Sequence, residues 1–260
     1  MCPYVAHIGP FTIASFGLMV ALGFLAGLYV VQRELQRQGV DPEVGSAMIT
    51  AAMLGGLVGA KLYYVAFGTP AGMSWARALR TLFSGAGLTW YGGFLAATAG
   101  VLWVVRRRGV PLGIAADAAA PAVVLGQALG RIGCQLAGDG DYGRPTDLPW
   151  GMAYPDGVVP TLAKVHPTPV YEALAYLLVF GVLWAVRRRV RAPGLVFCLY
   201  LVLAGTTRFL VEFIRINPTV LWGLTDAQLL SLAAVAVGLT VGAAKLRRGP
   251  RPAPATPLHR

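Results

Sequence analysis

Among the ionisable residues inside long apolar stretches of this chain are Lys61, Arg131, Glu172 and Arg208. A charged side chain at membrane depth is costly and is by default a functional candidate. Three cations and one carboxylate suit an anionic headgroup. Arginine offers a planar fork that matches a phosphate bidentately, and lysine adds a compact point charge. The same stretches also hold Tyr91 and Tyr171, and His166 stands at the mouth of one of them; all three bring hydrogen-bonding groups.

Their depths agree. At a rise of about 1.5 Å per residue, Lys61 lies about 27 Å from the cytoplasmic end of its segment, Arg131 about 30 Å and Arg208 about 25 Å. Glu172 and Tyr91 each lie about 22 Å from the basic residues that follow them. Five segments therefore place polar groups in the outer half of a membrane, while the inner half holds little besides Asp117. A relay crossing the whole bilayer would need polar steps at every depth, so the pattern favours a pocket open to the outer leaflet. Plainer readings exist for single residues. Arg131 and Lys61 can snorkel to the interface. Arg208 and Glu212 have the spacing of an intrahelical pair. Trp and Tyr near segment ends suit an aromatic belt.

The elements that position these groups follow from composition. Of 260 residues, 56% are hydrophobic and only 13% charged, and the mean hydropathy is +0.62. A water-facing surface normally needs about 25% charged residues, so the chain reads as an all-α polytopic membrane protein. The formal net charge of +11 follows from sidedness rather than nucleic-acid binding. Cys2, Cys134 and Cys198 form no CxxC and no metal-ligand spacing. The start has no basic n-region, so the first apolar segment is expected to remain as a helix.

Seven transmembrane helices are expected, at about 11–31, 44–67, 86–105, 112–133, 168–186, 194–213 and 225–244. Small residues at 55–60 and 92–100 offer faces for close helix packing. Fourteen Lys and Arg residues fall in one set of connections and the C-terminal tail, against five in the other set. The richer side is cytoplasmic by the positive-inside rule. The N-terminus is then outside and the C-terminus inside, as seven spans require. The long loop 134–167 forms a small external (periplasmic) head on a transmembrane domain of residues 1–248, and residues 249–260 form a Pro-rich cytoplasmic tail. No repeat of 20–50 residues supports a transporter of inverted repeats.

Four segments carry more than composition. They are Gly-Arg-Ile-Gly-Cys-Gln-Leu-Ala-Gly-Asp-Gly-Asp-Tyr-Gly at 130–143, leading into Arg-Pro-Thr-Asp-Leu-Pro-Trp-Gly-Met, then His-Pro-Thr-Pro-Val-Tyr-Glu-Ala at 166–173, Thr-Trp-Tyr-Gly-Gly at 89–93 and Arg-Phe-Leu-Val-Glu-Phe-Ile-Arg at 208–215. With Ile-Gly-Pro-Phe-Thr-Ile at 8–13 and Phe-Gly-Leu-Met at 16–19, they resemble the prolipoprotein diacylglyceryl transferases, in the same order along nearly the whole chain. The resemblance implies an enzyme of the bacterial inner membrane. It implies transfer of the diacylglyceryl group of phosphatidylglycerol to the thiol of a lipobox cysteine in a prolipoprotein, the first step of lipoprotein maturation. Glycerol phosphate leaves, and neither metal nor organic cofactor takes part. It implies that Arg131 contacts the lipid headgroup and that Arg208 is needed, and it carries the loop motif onto His166, Pro167, Tyr171 and Glu172.

The chain departs from the family pattern at informative places. Cys134 and Ala137 stand where Asn is usual, Asp139 where Glu is usual, and one more residue precedes Gly143. Tyr91 replaces the His that precedes Gly92 and Gly93, Ala204 replaces a Tyr, and Phe16 another. A thiol with a pKa near 8.5 must lose its proton to become a nucleophile. Tyr91, with an ordinary pKa near 10, is the poorer base. Glu172, His166, Asp139 and Asp141 are rivals, and Tyr91 is expected to orient the substrate while Glu172 takes the proton. Motifs and depths together nominate Arg131, Arg208, Glu172, Tyr91 and His166 for catalysis. They nominate Arg131, Lys61, Arg208, Gly92, Gly93, Gly133, Asp139 and Tyr171 for lipid contact. The alternatives are a retasked relative that binds anionic lipid or a partner protein, and a small-solute transporter.

Overall fold

The computed structural model describes residues 1–9, 11–69, 74–83 and 89–248. The expected tail at 249–260 and the first residues of the expected third span lie outside the described residues. The helices are α1 (Ser15–Arg37), α2 (Glu43–Tyr63), α3 (Trp75–Arg80), α4 (Trp90–Arg107), α5 (Leu112–Ala137), α6 (Thr168–Val186), α7 (Leu195–Glu212) and α8 (Asp226–Arg248). Two antiparallel ribbons accompany them: β1 (Tyr4–Ile8) with β2 (Phe11–Ala14), and β3 (Met152–Tyr154) with β4 (Thr161–Val165). The chain is an all-α polytopic membrane protein. Among the described residues, six helical segments are long and apolar enough to cross a membrane: α1, α2 with its π-helical extension to Gly68, α5, α6, α7 and α8. The expected third span is present as α4, an 18-residue helix ending on Arg106 and Arg107. It is not among the six. The first span begins later than expected, because Phe11–Ala14 pairs as a strand.

The helix ends follow local chemistry. α1 and α4 both stop at a glycine of positive φ, Gly39 (+72°) and Gly109 (+66°). In each, the next two amides bond back to the last turn: Gly39 to Gln36 and Val40 to Leu35, Gly109 to Arg106 and Val110 to Val105. This closure satisfies carbonyls that no longer have helical partners, and the arginines beside it complement the negative helix end. α8 starts with a reciprocal cap. Gln228 N–H donates to Thr225 Oγ1 at 3.2 Å and Thr225 N–H to Gln228 Oε1 at 3.0 Å.

The chain forms two compact units, Gly27–Ala118 and the pair Met1–Ala26 with Ala119–Arg260. In the first, the two small-residue stretches meet. A Cβ on Gly59 would lie 2.3 Å from Ala96 Cβ, and one on Gly92 would lie 2.4 Å from the Gly59 carbonyl oxygen. Only bare backbone allows α2 and α4 to approach so closely, and in lipid such packing must replace the missing hydrophobic drive. In the second unit, Ala120, Val124 and Ala128 of α5 pack with Tyr176, Val179 and Leu183 of α6 and with Val196 and Ala204 of α7. The loop between α5 and α6 forms a head around Tyr142, Tyr154 and Val165. Tyr154 Oη donates to Gln135 Oε1 at 2.8 Å, which ties the head to the end of α5.

Candidate functional site

Three sequence motifs far apart in the chain are sewn together by backbone. Gly143 N–H donates to the His166 carbonyl at 2.8 Å, and His166 N–H to the Arg144 carbonyl at 3.0 Å. Arg144 N–H donates to the Ile214 carbonyl at 2.8 Å. A Cβ on Gly143 would lie 2.5 Å from the Ile214 oxygen, so the crossing accepts glycine alone.

Beneath that crossing lies an ion-pair network. Glu172, in the first turns of α6, has a side chain 0% exposed. Its Oε1 accepts from Arg208 Nη1 at 2.7 Å. Its Oε2 meets Arg131 Nε at 3.0 Å and Arg215 Nη1 at 3.3 Å. Arg131 Nη1 also pairs with Asp141 Oδ2. Arg215 reaches Asp141 twice, Nη2 to Oδ1 at 2.5 Å and Nη1 to the backbone carbonyl at 2.9 Å. Arg208 Nη2 pairs with Glu212 Oε2 at 2.8 Å, and Asn217 and Thr225 donate to Glu212 Oε1 at 2.6 and 3.0 Å. Three guanidiniums thus face three carboxylates. A buried charge is tolerated when it is paired and hydrogen-bonded in this way. Arg131 and Arg208 keep 21% and 20% of their side chains exposed, whereas Arg215 is 5% exposed. The first two are therefore the accessible cations and Arg215 the buried brace.

Burial alone would raise the Asp141 carboxyl, but the Arg131 and Arg215 charges overcome it and hold it below the ordinary carboxylate value. Asp139 behaves in the opposite sense. Burial pushes its carboxyl up, and the nearby Asp141 charge adds to that. Cys134 Sγ lies 3.9 Å from Arg131 Nη1. The ligand atoms of Cys134, Asp139 and Asp141 lie within 4.8 Å of one another, donor types able to bind a metal, and the positive charge beside them is that of Arg131.

Of the nominated residues, the network brings together Arg131, Arg208 and Glu172. His166 and Tyr171 meet at the mouth of α6, with Nδ1 and Oη 3.4 Å apart, and Trp150 Nε1 donates to Tyr171 Oη at 2.8 Å. Gly133 packs against α1, where a Cβ would lie 3.1 Å from Met19 Cβ. In the other unit, Lys61 is buried and donates to the Thr81 carbonyl at 2.9 Å. Tyr91 is 43% exposed with its ring edge-on to Trp90, and Gly92 and Gly93 lie in the α2–α4 seam. The nominations left out Arg215 and Glu212, and held Asp141 only as a rival base. The signal for the first two was the spacing of Arg208, Glu212 and Arg215, one face of a helix carried past its end at Glu212.

The family model described as prolipoprotein diacylglyceryl transferase matches residues 3–243. The phosphatidylglycerol–prolipoprotein diacylglyceryl transferase of Geobacter sulfurreducens is 34% identical over 95% of this chain and 96% of its own length. The protein of the same name from Synechococcus elongatus is 33% identical over 91% of this chain and 85% of its own. That from Clostridium tetani is 30% identical over 93% and 96%. On its ion-pair network, its order of motifs and these likenesses together, the chain belongs to the prolipoprotein diacylglyceryl transferase family.

Proposed function

We propose that this protein transfers the diacylglyceryl group of phosphatidylglycerol to the thiol of a prolipoprotein's lipobox cysteine, in a bacterial inner membrane. The observation that carries the reading is Glu172 at the centre of three guanidiniums. Its carboxylate and that of Asp141 hold Arg131 and Arg208 in fixed orientation before any ligand arrives. Preorganised cations aimed at developing charge stabilise a transition state more than mobile ones. Among the described residues Arg131 Nη2 and Arg208 Nε have no partner in the network. They are the donors offered to the donor lipid's phosphate and, as the carbon–oxygen bond breaks, to the departing glycerol phosphate.

Glu172 was the expected base. Its full burial denies a thiol any approach, so in this reading it anchors the arginines. His166 and Tyr171, with Trp150, line the mouth where a substrate enters. Tyr91 is proposed to orient the ester, Lys61 to add a point charge and Asp139 to contact the headgroup. Gly92, Gly93 and Gly133 contribute through the packing of the helices that carry these groups. The termini lie outside (N) and in the cytoplasm (C), supported by the 14-to-5 division of basic residues. A cytoplasm-dependent reporter fused after Arg260 is expected to be active.

The test is purified protein with phosphatidylglycerol and a lipobox peptide, with peptide mass as readout. A mass increase by one diacylglyceryl group supports the reading. Lipid binding without transfer favours the retasked relative.

A further inference from the structure

Thiol alkylation needs a proton acceptor that a thiol can reach, and the carboxylates of the network are poorly placed for it. Asp141, Glu172 and Glu212 are each held by guanidiniums. Asp139 is the exception. Among the described residues it pairs with no arginine or lysine, yet it stands next to Asp141, which pairs with Arg131. Its surroundings are Cys134 Sγ, within 4.8 Å of its carboxylate oxygen, and the Asp141 N–H, from which it accepts a hydrogen bond at 3.3 Å.

Its placement is fixed by backbone. Gly138 and Gly140 flank it with φ of +59° and +91°. The segment beyond β3 is laid over this turn. Val158 N–H donates to the Ala137 carbonyl and Val159 N–H to the Gly138 carbonyl, each at 2.9 Å. A Cβ on Gly138 would lie 2.8 Å from Gly157 Cα. The titratable and charged groups around Asp139 are Arg131 and Cys134 from α5, Asp141 from its own loop and Tyr154 from β3. The overlying residues Gly157, Val158 and Val159 carry none.

We propose that Asp139 is the general base of the transfer reaction, with Cys134 as the positioning residue that orients its carboxylate. The inference rests on the transferase reading above. Asp139 takes the proton from the acceptor Sγ. The sulfur forms its bond to the glyceryl carbon of the donor, and the carbon–oxygen bond to phosphate breaks with its electron pair on oxygen. Arg131 and Arg208 receive the charge of the leaving glycerol phosphate. The proton then passes from Asp139 to water or product. Two observations support the assignment independently of this elimination. The carboxyl lies within 4.8 Å of that of Asp141, which pairs with the guanidinium that would hold the donor, and its partial burial raises its proton affinity above that of an ordinary Asp.

The experiment compares Asp139→Asn with the parent on two lipobox peptides, one bearing cysteine and one bearing selenocysteine. The selenol is ionised at neutral pH and needs no base. With the thiol at pH 7, Asp139→Asn is expected to lose at least about 100-fold in transfer, the range of general-base catalysis. With the selenol the loss is expected to stay within about threefold. Raising the pH toward 8.5, where the thiol ionises itself, is expected to restore the variant about tenfold per unit. Cys134→Val is expected to show a weaker version of the same pattern, with Cys134→Ser restoring it. An equal loss on both peptides, or no loss, overturns the assignment. Selenol rescue of His166→Gln in place of Asp139→Asn gives the role to His166. A parent inactive on both peptides overturns the transferase reading itself.

Discussion

Arg215 and Asp141 are 74 residues apart in the chain and joined by two hydrogen bonds, one to the carboxylate at 2.5 Å and one to the carbonyl at 2.9 Å. This double link fastens the end of α7 to the loop after α5. It sets Asp141 where it also meets Arg131, and so orients the accessible guanidinium through one that is buried.

The two accessible arginines are expected to differ from lysine in kind. Arg131→Ala should lose at least about 100-fold in transfer while the protein still inserts and folds, since one preorganised donor is worth about 10²–10³ in rate. Arg131→Lys should recover only part of it, because a compact ammonium lacks the rigid planar fork that spans Glu172, Asp141 and a phosphate. Initial rates on the cysteine peptide decide it. Equal rates for Lys and Arg would refute the fork geometry.

Glu172→Gln removes the charge shared by three guanidiniums. Breaking a buried ion pair by one partner costs about 3–5 kcal/mol. The variant should melt well below the parent in detergent and lose transfer toward cysteine and selenocysteine peptides alike. Tyr91→Phe should retain measurable transfer with an unchanged pH profile. A dead Tyr91→Phe beside an active Glu172→Gln would overturn both roles, that of Tyr91 in orienting the ester and that of Glu172 in anchoring the arginines.

Glycine substitutions separate the crossing from ordinary helix. Gly143→Ala would set a Cβ 2.5 Å from the Ile214 oxygen, a backbone atom that cannot yield cheaply. It should reduce both stability and transfer by prying the loop from Arg215. Gly126→Ala meets nothing within 4 Å and should stabilise α5 by about 0.5–1 kcal/mol. Thermal melts of the two variants are expected to move in opposite directions.

The two aspartates of the loop should differ in how their stability effects depend on pH. Asp141 is depressed in the folded protein. It therefore contributes stability above its unfolded value, about 3.9, which is lost as the pH falls through the lower folded value. Asp141→Asn should lower the melting temperature at pH 7, with the gap closing below about pH 4. Asp139 is raised, so its ionised form costs stability at neutral pH and the cost vanishes below the unfolded value. Asp139→Asn should melt higher than the parent at pH 7 and equal to it near pH 4. A stabilised but inactive variant is the expected mark of a residue held for chemistry.

Much of the protein was legible in one dimension. Hydropathy marks each long apolar helix, because a bilayer demands about 20 apolar residues whatever they pack against. The small residues of 55–60 and 92–100 announced a close helix seam, and charges within apolar stretches announced members of the ion-pair network, since lipid makes them too costly to be incidental. Arg131, Glu172 and Arg208 were found that way. The partners of those charges were not. Arg215 reads from sequence as one more loop cation, yet it lies buried between Glu172 and Asp141. Asp139 and Asp141 stand two residues apart, and spacing cannot say which of them an arginine will take. Nor can it show that Glu172 is fully buried, or that Trp150 reaches Tyr171. Pairing of charges depends on where the backbone crossings at Gly143, His166 and Ile214 place each side chain to within an ångström. Electrostatic energy in a water-poor site changes steeply over that distance, so only the tertiary structure decides it.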